Sequence, residues 1–550
     1  MMNYTKYRPY PPMHMPNRKW PDNVITKAPI WCSVDLRDGN QSLEIPMSLE
    51  EKLEFFKFLV KTGFKEIEIG FPAASDTEFE FARYLIENDL IPDDVTVQVL
   101  TQSRPHIIKK TFAALSGAKR AIVHLYNSTS TLQRDVVFHN SKQETIDLAV
   151  AGAKLVLEEA AKQPDTDFVY QYSPESFTGT EMDFAVDICN AVIDIWQPTP
   201  EKKMIINLPS TVEMATANVY ADQIEYCCEH LKNRESIIVS LHAHNDKGLA
   251  VAETELAIMA GAERVEGTLF GNGERTGNTD VMTVAMNIFA QGIDPKLDFS
   301  HIDDAVEIYE KSTRMTVHPR HPYAGALVYT AFSGSHQDAI RKGMDALRNH
   351  PDRWEVPYLA IDPKDVGRTY DPIVRINSQS GKGGVAFVLE QNFGLYLPKA
   401  FQQDLSYIVT GVSDRKHSDL TPQQIFDIFQ REYVNITSPI TLESYREISD
   451  GSDRVGIEAD ILENGKKETI TGEGNGIIAA FCRAMEDHFD MQLEVINYSE
   501  HSMEYGTKAR AISYIQISGK NGVFYGAGTS SNIIKSSLRA IVSTANKMLA

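Results

Sequence analysis

No stretch of this chain approaches the ~20 consecutive apolar residues that a bilayer-spanning helix needs. The N-terminal stretch also lacks the apolar core of a secretory signal, so a cytoplasmic setting is expected. Cysteine is scarce. The five present, Cys32, Cys189, Cys227, Cys228 and Cys482, show no Cys-x-x-Cys spacing, which excludes a zinc ribbon and a disulfide framework. Positive charge is short too: 54 lysines and arginines against 75 acids leave a net charge of −21. That argues against nucleic acid and anionic membranes as partners. An anionic substrate would therefore need a locally positive site. A nucleotide-binding P-loop is missing as well. The run Ser378-Gln379-Ser380-Gly381-Lys382-Gly383-Gly384 has neither its spacing nor its strand–loop–helix order, and reads as a hinge.

Two short strings carry most of what is there. Leu241-His242-Ala243-His244-Asn245-Asp246 sets two imidazoles at i and i+2, which on a strand share a face and can grip one metal ion. Val34-Asp35-Leu36-Arg37-Asp38-Gly39-Asn40-Gln41 ends an apolar strand with an arginine beside a carboxylate. If both strands end on one rim, Asp38, His242 and His244 form a two-histidine, one-carboxylate site with open positions. Arg37 then stands ready for a carboxylate or enolate oxygen. A third string, Gly271-Asn272-Gly273-Glu274-Arg275-Thr276-Gly277-Asn278, lets backbone approach a ligand, and Asn278 adds a neutral oxygen for a metal or substrate.

At 550 residues the chain needs two or three domains. Eight β-like runs, at 31–37, 66–71, 95–101, 121–126, 168–172, 204–208, 237–242 and 264–270, alternate with helical ones. Ser48 and Glu51 make a capping box, Leu49, Leu53, Phe56 and Val60 follow at helical spacing, and Gly63 closes the helix. The pattern predicts an α/β chain built on a (β/α)8 barrel with its site at the C-terminal strand ends. Arg37, Asp38, His124, Glu175, Thr211, His242, His244 and Asn278 all fall there. Residues 1–30, proline-rich and aromatic, read as an extended arm lying on something, a neighbouring subunit among the candidates. Residues 31–325 form the barrel, 326–434 helical linker subdomains, and 435–550 a small duplicated α+β domain with pseudo-twofold symmetry. In the last, Gly472-Glu473-Gly474-Asn475-Gly476 is expected to open a helix running to about Phe489 and Gly526-Ala527-Gly528 to precede another, both as turns that offer amides to a carboxylate.

Residues 34–41, 241–246 and 271–278 resemble the metal-dependent Claisen-condensing and lyase barrel superfamily. His124-Leu125-Tyr126-Asn127-Ser128-Thr129-Ser130, Tyr172-Ser173-Pro174-Glu175-Ser176, Gly334-Ser335-His336-Gln337-Asp338 and Val356-Pro357-Tyr358-Leu359 look like the long-form 2-isopropylmalate synthase family, across essentially the whole chain. The resemblance implies condensation of acetyl-CoA with 2-oxoisovalerate and thioester hydrolysis to 2-isopropylmalate and CoA. It implies a divalent metal, magnesium first with manganese or zinc as alternatives, on Asp38, His242, His244 and Asn278. Arg37, Glu175, His336 and Tyr358 would be catalytic, the last two reaching the other subunit of a homodimer. His124 and Thr211 would hold the keto acid, and Leu100, Tyr126, Ser173, Asn207 and Pro209 would shape its isopropyl pocket. Leucine is implied as feedback effector, although the turn Thr529-Ser530-Ser531 departs from the hydrophobic and acidic or small residues of many relatives.

Sister synthases making homocitrate or citramalate are the alternative. A homocitrate enzyme needs a basic or polar pocket for a second carboxylate, which Leu100, Tyr126 and Pro209 do not offer. A hydroxymethylglutaryl-CoA lyase usually lacks the C-terminal domain. A catalytically silent amino-acid sensor would not need Arg37, Asp38, both histidines and Glu175.

Overall fold

The computed structural model describes all residues except 1–5, 7–9, 12, 332, 349–352, 371–381, 417–419, 449–453, 504–505, 507–508 and 550. Most of the glycine-rich run read as a hinge, Ser378 to Gly381, lies outside the described residues. The chain forms two compact units, residues 1–328 with 361–369, and residues 329–360 with 370–550.

In the first unit, eight parallel strands close into a barrel in sequence order. They are β1 (Ile30–Ser33), β2 (Glu66–Gly70), β3 (Thr96–Gln102), β4 (Arg120–Ser128), β5 (Asp167–Glu175), β6 (Met204–Ser210), β7 (Ile237–Ala243) and β8 (Arg264–Gly267). The predicted capping box is present: Ser48 Oγ accepts from Glu51 N, and Glu51 accepts from Ser48 N, at the start of helix Leu49–Thr62. Among the described residues no helix is long and apolar enough to cross a membrane.

Two strands are shorter than their apolar runs suggest. β1 stops at Ser33, and Asp35–Gly39 turns into a π-helical loop. The Asp35 carboxylate fixes that loop by accepting from Leu269 N at 3.0 Å and Ser33 Oγ at 2.8 Å. Arg37 and Asp38 thus sit on a turn above the strand rather than at its end. β8 likewise ends at Gly267, before a single 3-10 turn.

The N-terminal arm rests on its own barrel. Arg18 forms a two-pronged ion pair with Asp222, Trp20 Nε1 donates to the same carboxylate at 2.7 Å, and Tyr10 Oη donates to Thr178 O. Asp222 belongs to the helix Ala217–His230.

The second unit begins with helices, including Lys382–Phe393, Lys399–Lys416 and Pro422–Tyr433. Its C-terminal part repeats one motif. Strands β9 (Ile440–Ile448), β10 (Val455–Glu463) and β11 (Lys466–Gly474) lead to helix Ile477–Phe489. Strands β12 (Glu494–Ser502), β13 (Ala511–Gly519) and β14 (Gly522–Ser530) lead to helix Ile533–Leu549. One apolar core joins both halves through Ile457, Ile461, Phe481, Met485, Ile515, Ile517, Leu538 and Ile541. The linker helices share a second core with β13 and β14, through Leu405, Phe429 and Tyr433 against Ile512, Tyr514 and Ala527.

A helix follows each glycine run as expected, at Ile477 with Gly476 as its N-cap and at Ile533. The glycines Gly472, Gly474, Gly526 and Gly528 are however not turn residues but lie inside strands, where a helix backbone presses against them. A Cβ on Gly472 would stand 2.7 Å from Ala484 N, and one on Gly474 2.6 Å from Ala480 N. On Gly526 it would meet Ala540 O at 2.8 Å, and on Gly528 Ala540 N at 2.5 Å. Glycine is required for close helix–strand contact, and the second helix start is capped by Asn532, which accepts from Lys535 N. A carboxylate site made by these runs is therefore withdrawn. Gly528→Ala should destabilise the full chain by about 1–3 kcal/mol through overpacking, read by urea unfolding. An unchanged midpoint would show that the helix can slide away freely.

Candidate functional site

The barrel interior is charged where an aliphatic filling would be usual. Arg264, fully buried on β8, donates to Glu66 (2.5 Å), Glu266 (2.8 Å), Ser240 (2.8 Å) and Gln98 (2.8 Å). Glu266 also accepts from Gln98 at 2.9 Å and Gln171 at 2.7 Å, and holds His242 Nδ1 at 2.8 Å. Glu68 is its counterpart on β2. It accepts Arg37 Nε at 2.5 Å and Gln98 Nε2 at 3.0 Å, with His124 Nδ1 at 2.8 Å. Two buried carboxylates thus orient a histidine, an arginine and a second histidine at the strand ends.

Above this layer the proposed metal ligands meet. Asp38, His242 and His244 are buried, and one ligand atom from each lies within 4.8 Å of the others. Asp38 Oδ2 stands 3.3 Å from His242 Nε2 and 3.7 Å from His244 Nε2. With Nδ1 committed to Glu266, His242 presents Nε2 to the shared space. Burial opposes charge on Asp38, but Arg37 and the two imidazoles outweigh it and hold the carboxyl well below the usual range. Burial likewise opposes charge on His242, yet hydrogen bonds to Asp38 and Glu266 raise it to about 9. Burial and the His242 charge lower His244 to about 4. His244 lies one residue past β7 and bridges to Asn278, whose Oδ1 is buried without a partner among the described residues. Anionic oxygen, two imidazoles and an orphaned amide oxygen fit a divalent cation.

These groups open into a cavity of about 940 Å3. Arg37, Asp38, Leu100, His124, Tyr126, Ser173, Glu175, Asn207, Pro209, Thr211, His242 and His244 all line it. Arg37 spends Nε on Glu68 and Nη1 on Asp38 (2.9 Å), leaving Nη2 for a ligand. The other His124 nitrogen lies 2.7 Å from Ser173 Oγ, which also accepts from Asn207 Nδ2 at 3.0 Å. Thr211 Oγ1 accepts from Ser176 N at 2.9 Å, so its proton is free to donate. Glu175, at the end of β5, accepts from Ser128 Oγ. Leu100 and Pro209 supply an apolar wall, with Tyr126 Oη accepting from Gln102 at 2.6 Å.

His336 and Tyr358 belong to the second unit, where their rings stack 4.1 Å apart and both are exposed. The sequence reading overlooked Glu68 and Glu266. Their signal was the alternation Glu66-Ile67-Glu68 and Arg264-Val265-Glu266, which puts charge on one face of a strand enclosed on both sides. Gln41, Glu274 and Arg275, which stand in the motif strings without a role of their own, also line the cavity, where Gln41 donates to Glu274 and Arg275 pairs with Asp246.

Comparison with known proteins gives three family matches. The HMGL-like family matches residues 28–308, the alpha-isopropylmalate synthase post-catalytic domain-like family residues 326–390, and the LeuA allosteric (dimerisation) domain residues 419–549. The chain is 62% identical to 2-isopropylmalate synthase of Acetoanaerobium sticklandii, over 100% of this chain and 97% of that one. It is 55% identical to that of Clostridium acetobutylicum over 99% of both chains, and 53% identical to that of Helicobacter hepaticus over the full length of both. Among solved structures, hydroxymethylglutaryl-CoA lyase from Pseudomonas aeruginosa aligns with a TM-score of 0.44 at 17% identity, over 53% of this chain and 95% of that one.

Two predictions follow from the geometry. Glu266→Gln should weaken divalent-metal binding roughly 10- to 100-fold by loosening His242, measured by calorimetry on metal-free protein. Unchanged affinity in a folded variant would remove Glu266 from the site. Separately, burial pushes the Glu253 carboxyl up to about 8, with Ser210 opposing and Glu213 adding to the rise. The folded chain then keeps a proton that the unfolded chain releases above its ordinary 4.5, so this group makes stability fall as pH climbs from 4.5 to 8. Glu253→Gln should flatten that slope, by at most about 1.4 kcal/mol per pH unit. Parallel stability curves for both proteins would refute it.

Proposed function

The chain belongs to the 2-isopropylmalate synthase family, and on that premise we propose how its residues divide the condensation of acetyl-CoA with 2-oxoisovalerate (3-methyl-2-oxobutanoate). The observation that carries the reading is the meeting of Asp38, His242, His244 and Arg37 in one cavity with the apolar wall of Leu100 and Pro209. A divalent metal on that triad, magnesium first with manganese or zinc as alternatives and Asn278 as a further oxygen, would act as Lewis acid toward the 2-oxo group. Arg37 Nη2 faces the same oxygen and neutralises the charge that grows on it. Thr211 donates its hydroxyl proton to the keto-acid carboxylate. His124, Ser173 and Asn207 form a fixed polar edge, while Leu100, Tyr126 and Pro209 enclose the isopropyl group.

Carbon–carbon bond formation requires that the acetyl methyl lose a proton. Water must afterwards split the thioester, releasing CoA. Glu175, steadied by Ser128, is the acid–base group on the barrel, and His336 with Tyr358 supplies the second set from the partner of a homodimer. In this division the functional segments are the arm 1–30, the barrel 31–325, the linker 326–434 and the regulatory part 435–550. Leucine, as feedback effector, binds the last of these and shifts the population of active conformers.

Mixing inactive Asp38→Ala and His336→Ala chains tests the shared site. Each mixed dimer holds one site with both lesions and one with neither, so random pairing should restore roughly a quarter of wild-type activity. No recovery after verified subunit exchange would mean that His336 serves its own barrel. Calorimetry tests the regulator: no heat from leucine at millimolar concentration would remove it as effector.

A further inference from the structure

Thr211 stands one residue past the end of β6, in a connection with no regular secondary structure that leads to helix Ala217–His230. A hydroxyl on such a segment is placed only as well as its backbone is held. Two side chains from other loops hold it. Arg275 Nη2 donates to the Thr211 carbonyl at 2.5 Å, and the Asp246 carboxylate accepts from Glu213 N at 3.2 Å. The same two side chains make one forked ion pair, with Arg275 Nε on Asp246 Oδ1 at 2.8 Å and Nη2 on Oδ2 at 3.1 Å. Arg275 comes from the loop after β8 and Asp246 from the loop after β7, so the pair ties three strand ends together. Among the described residues no other donor is bonded to the Thr211 carbonyl. Arg275 itself lies in the left-handed region at φ 57°, which a bulky residue keeps only where its surroundings over-determine it. The pair is open to water, Arg275 being 39% and Asp246 19% exposed, and so adds little stability. Its contribution is geometric.

We infer that Arg275 is a positioning residue for the 2-oxo acid: with Asp246 it holds residues 211–213 so that the Thr211 hydroxyl meets the substrate carboxylate. The inference rests on the role proposed above for Thr211. A planar guanidinium can serve a carboxylate and a carbonyl oxygen at once, which an ammonium on a flexible stem does not reproduce. Holding the carbonyl fixes the Thr211 peptide, and with it the direction of the side chain. Oγ1 then accepts from Ser176 N at 2.9 Å and keeps its proton for the substrate. The other bonds to this segment act beyond Thr211. Val212 O accepts from Thr178 Oγ1, and the Glu213 carboxylate accepts from Lys247 N and Leu249 N. Without Arg275 the Thr211 peptide is therefore free to turn while the rest of the segment stays in place. The metal ligand His244 has its own supports, with His244 N on Ser210 O and Asn245 N on Gly277 O, each at 3.0 Å. Loss of Arg275 thus falls on the 2-oxo acid, not on acetyl-CoA or the metal.

Steady-state kinetics on the full-length enzyme, read by CoA release, test this. Arg275→Ala should raise KM for 2-oxoisovalerate about tenfold or more, as for a weakened hydrogen bond to a charged group, and leave KM for acetyl-CoA within about twofold. Its urea midpoint should barely move. Arg275→Lys should recover little of the loss. Arg275→Gln decides the matter if Arg275→Ala does not fold. A double-mutant cycle isolates the route. Thr211→Val alone should cost roughly 10- to 100-fold in kcat/KM for the 2-oxo acid, and adding Arg275→Ala to it should cost less than about twofold more. An equal penalty from Arg275→Ala in both backgrounds overturns the inference, as does full rescue by lysine or an equal rise in both KM values. Calorimetry on metal-free Arg275→Ala gives a further check, since a fall of about tenfold or more in divalent-metal affinity would place Arg275 with the metal supports instead. Unchanged kinetics in Thr211→Val would remove the proposed role of Thr211, and this inference with it.

Discussion

The hydrogen bonds that Glu266 makes inside the barrel are what the rest of the site depends on. A carboxylate with no solvent access is tolerable only when its oxygens are matched, and Arg264, Gln98, Gln171 and His242 match them. The match has two consequences. It lets a barrel interior carry charge without unfolding, and it fixes which nitrogen of His242 faces the cavity. Breaking such a pair from one side costs about 3–5 kcal/mol, so stability and ligand geometry are secured by the same bonds. Glu68 repeats the arrangement for Arg37 and His124. Gln98, which donates to both carboxylates, makes the two halves one unit.

Rigid support below contrasts with chemical division above. One end of the cavity gathers Asp38, two imidazoles and Arg37, and the other is walled by Leu100, Tyr126 and Pro209. A short branched 2-oxo acid fits that division, with its polar end toward the triad and its alkyl end toward the wall.

In the second unit, backbone contact replaces polar matching as the organising constraint. Strand glycines bring each helix so close that a methyl group would collide. The two halves of the repeat are therefore similar because they solve the same packing problem, whatever small molecule the domain receives.

Much of this was legible in the residues alone. The alternation of β-like and helical runs specified the eight-stranded barrel, because strand and helix periods differ and both are local. Ser48 and Glu51 announced their capping box for the same reason. His242, His244 and Asp38 stood out as a candidate metal-binding set from residue type and spacing, and the fold brings the three together. What the chain could not say locally was decided by packing. The apolar run through Leu36 continued past the true end of β1, since a buried turn is as apolar as a buried strand, and only the Asp35–Leu269 contact ends it. Glycine serves a left-handed turn or a close approach equally well, so the Gly-x-Gly runs were misread until the helices lay against them. Glu68 and Glu266 carry no local signal of their role, because an acid on an alternating strand can face water or the interior. Only closure of the barrel turned that face inward, and with it made two ordinary acids the supports of the site.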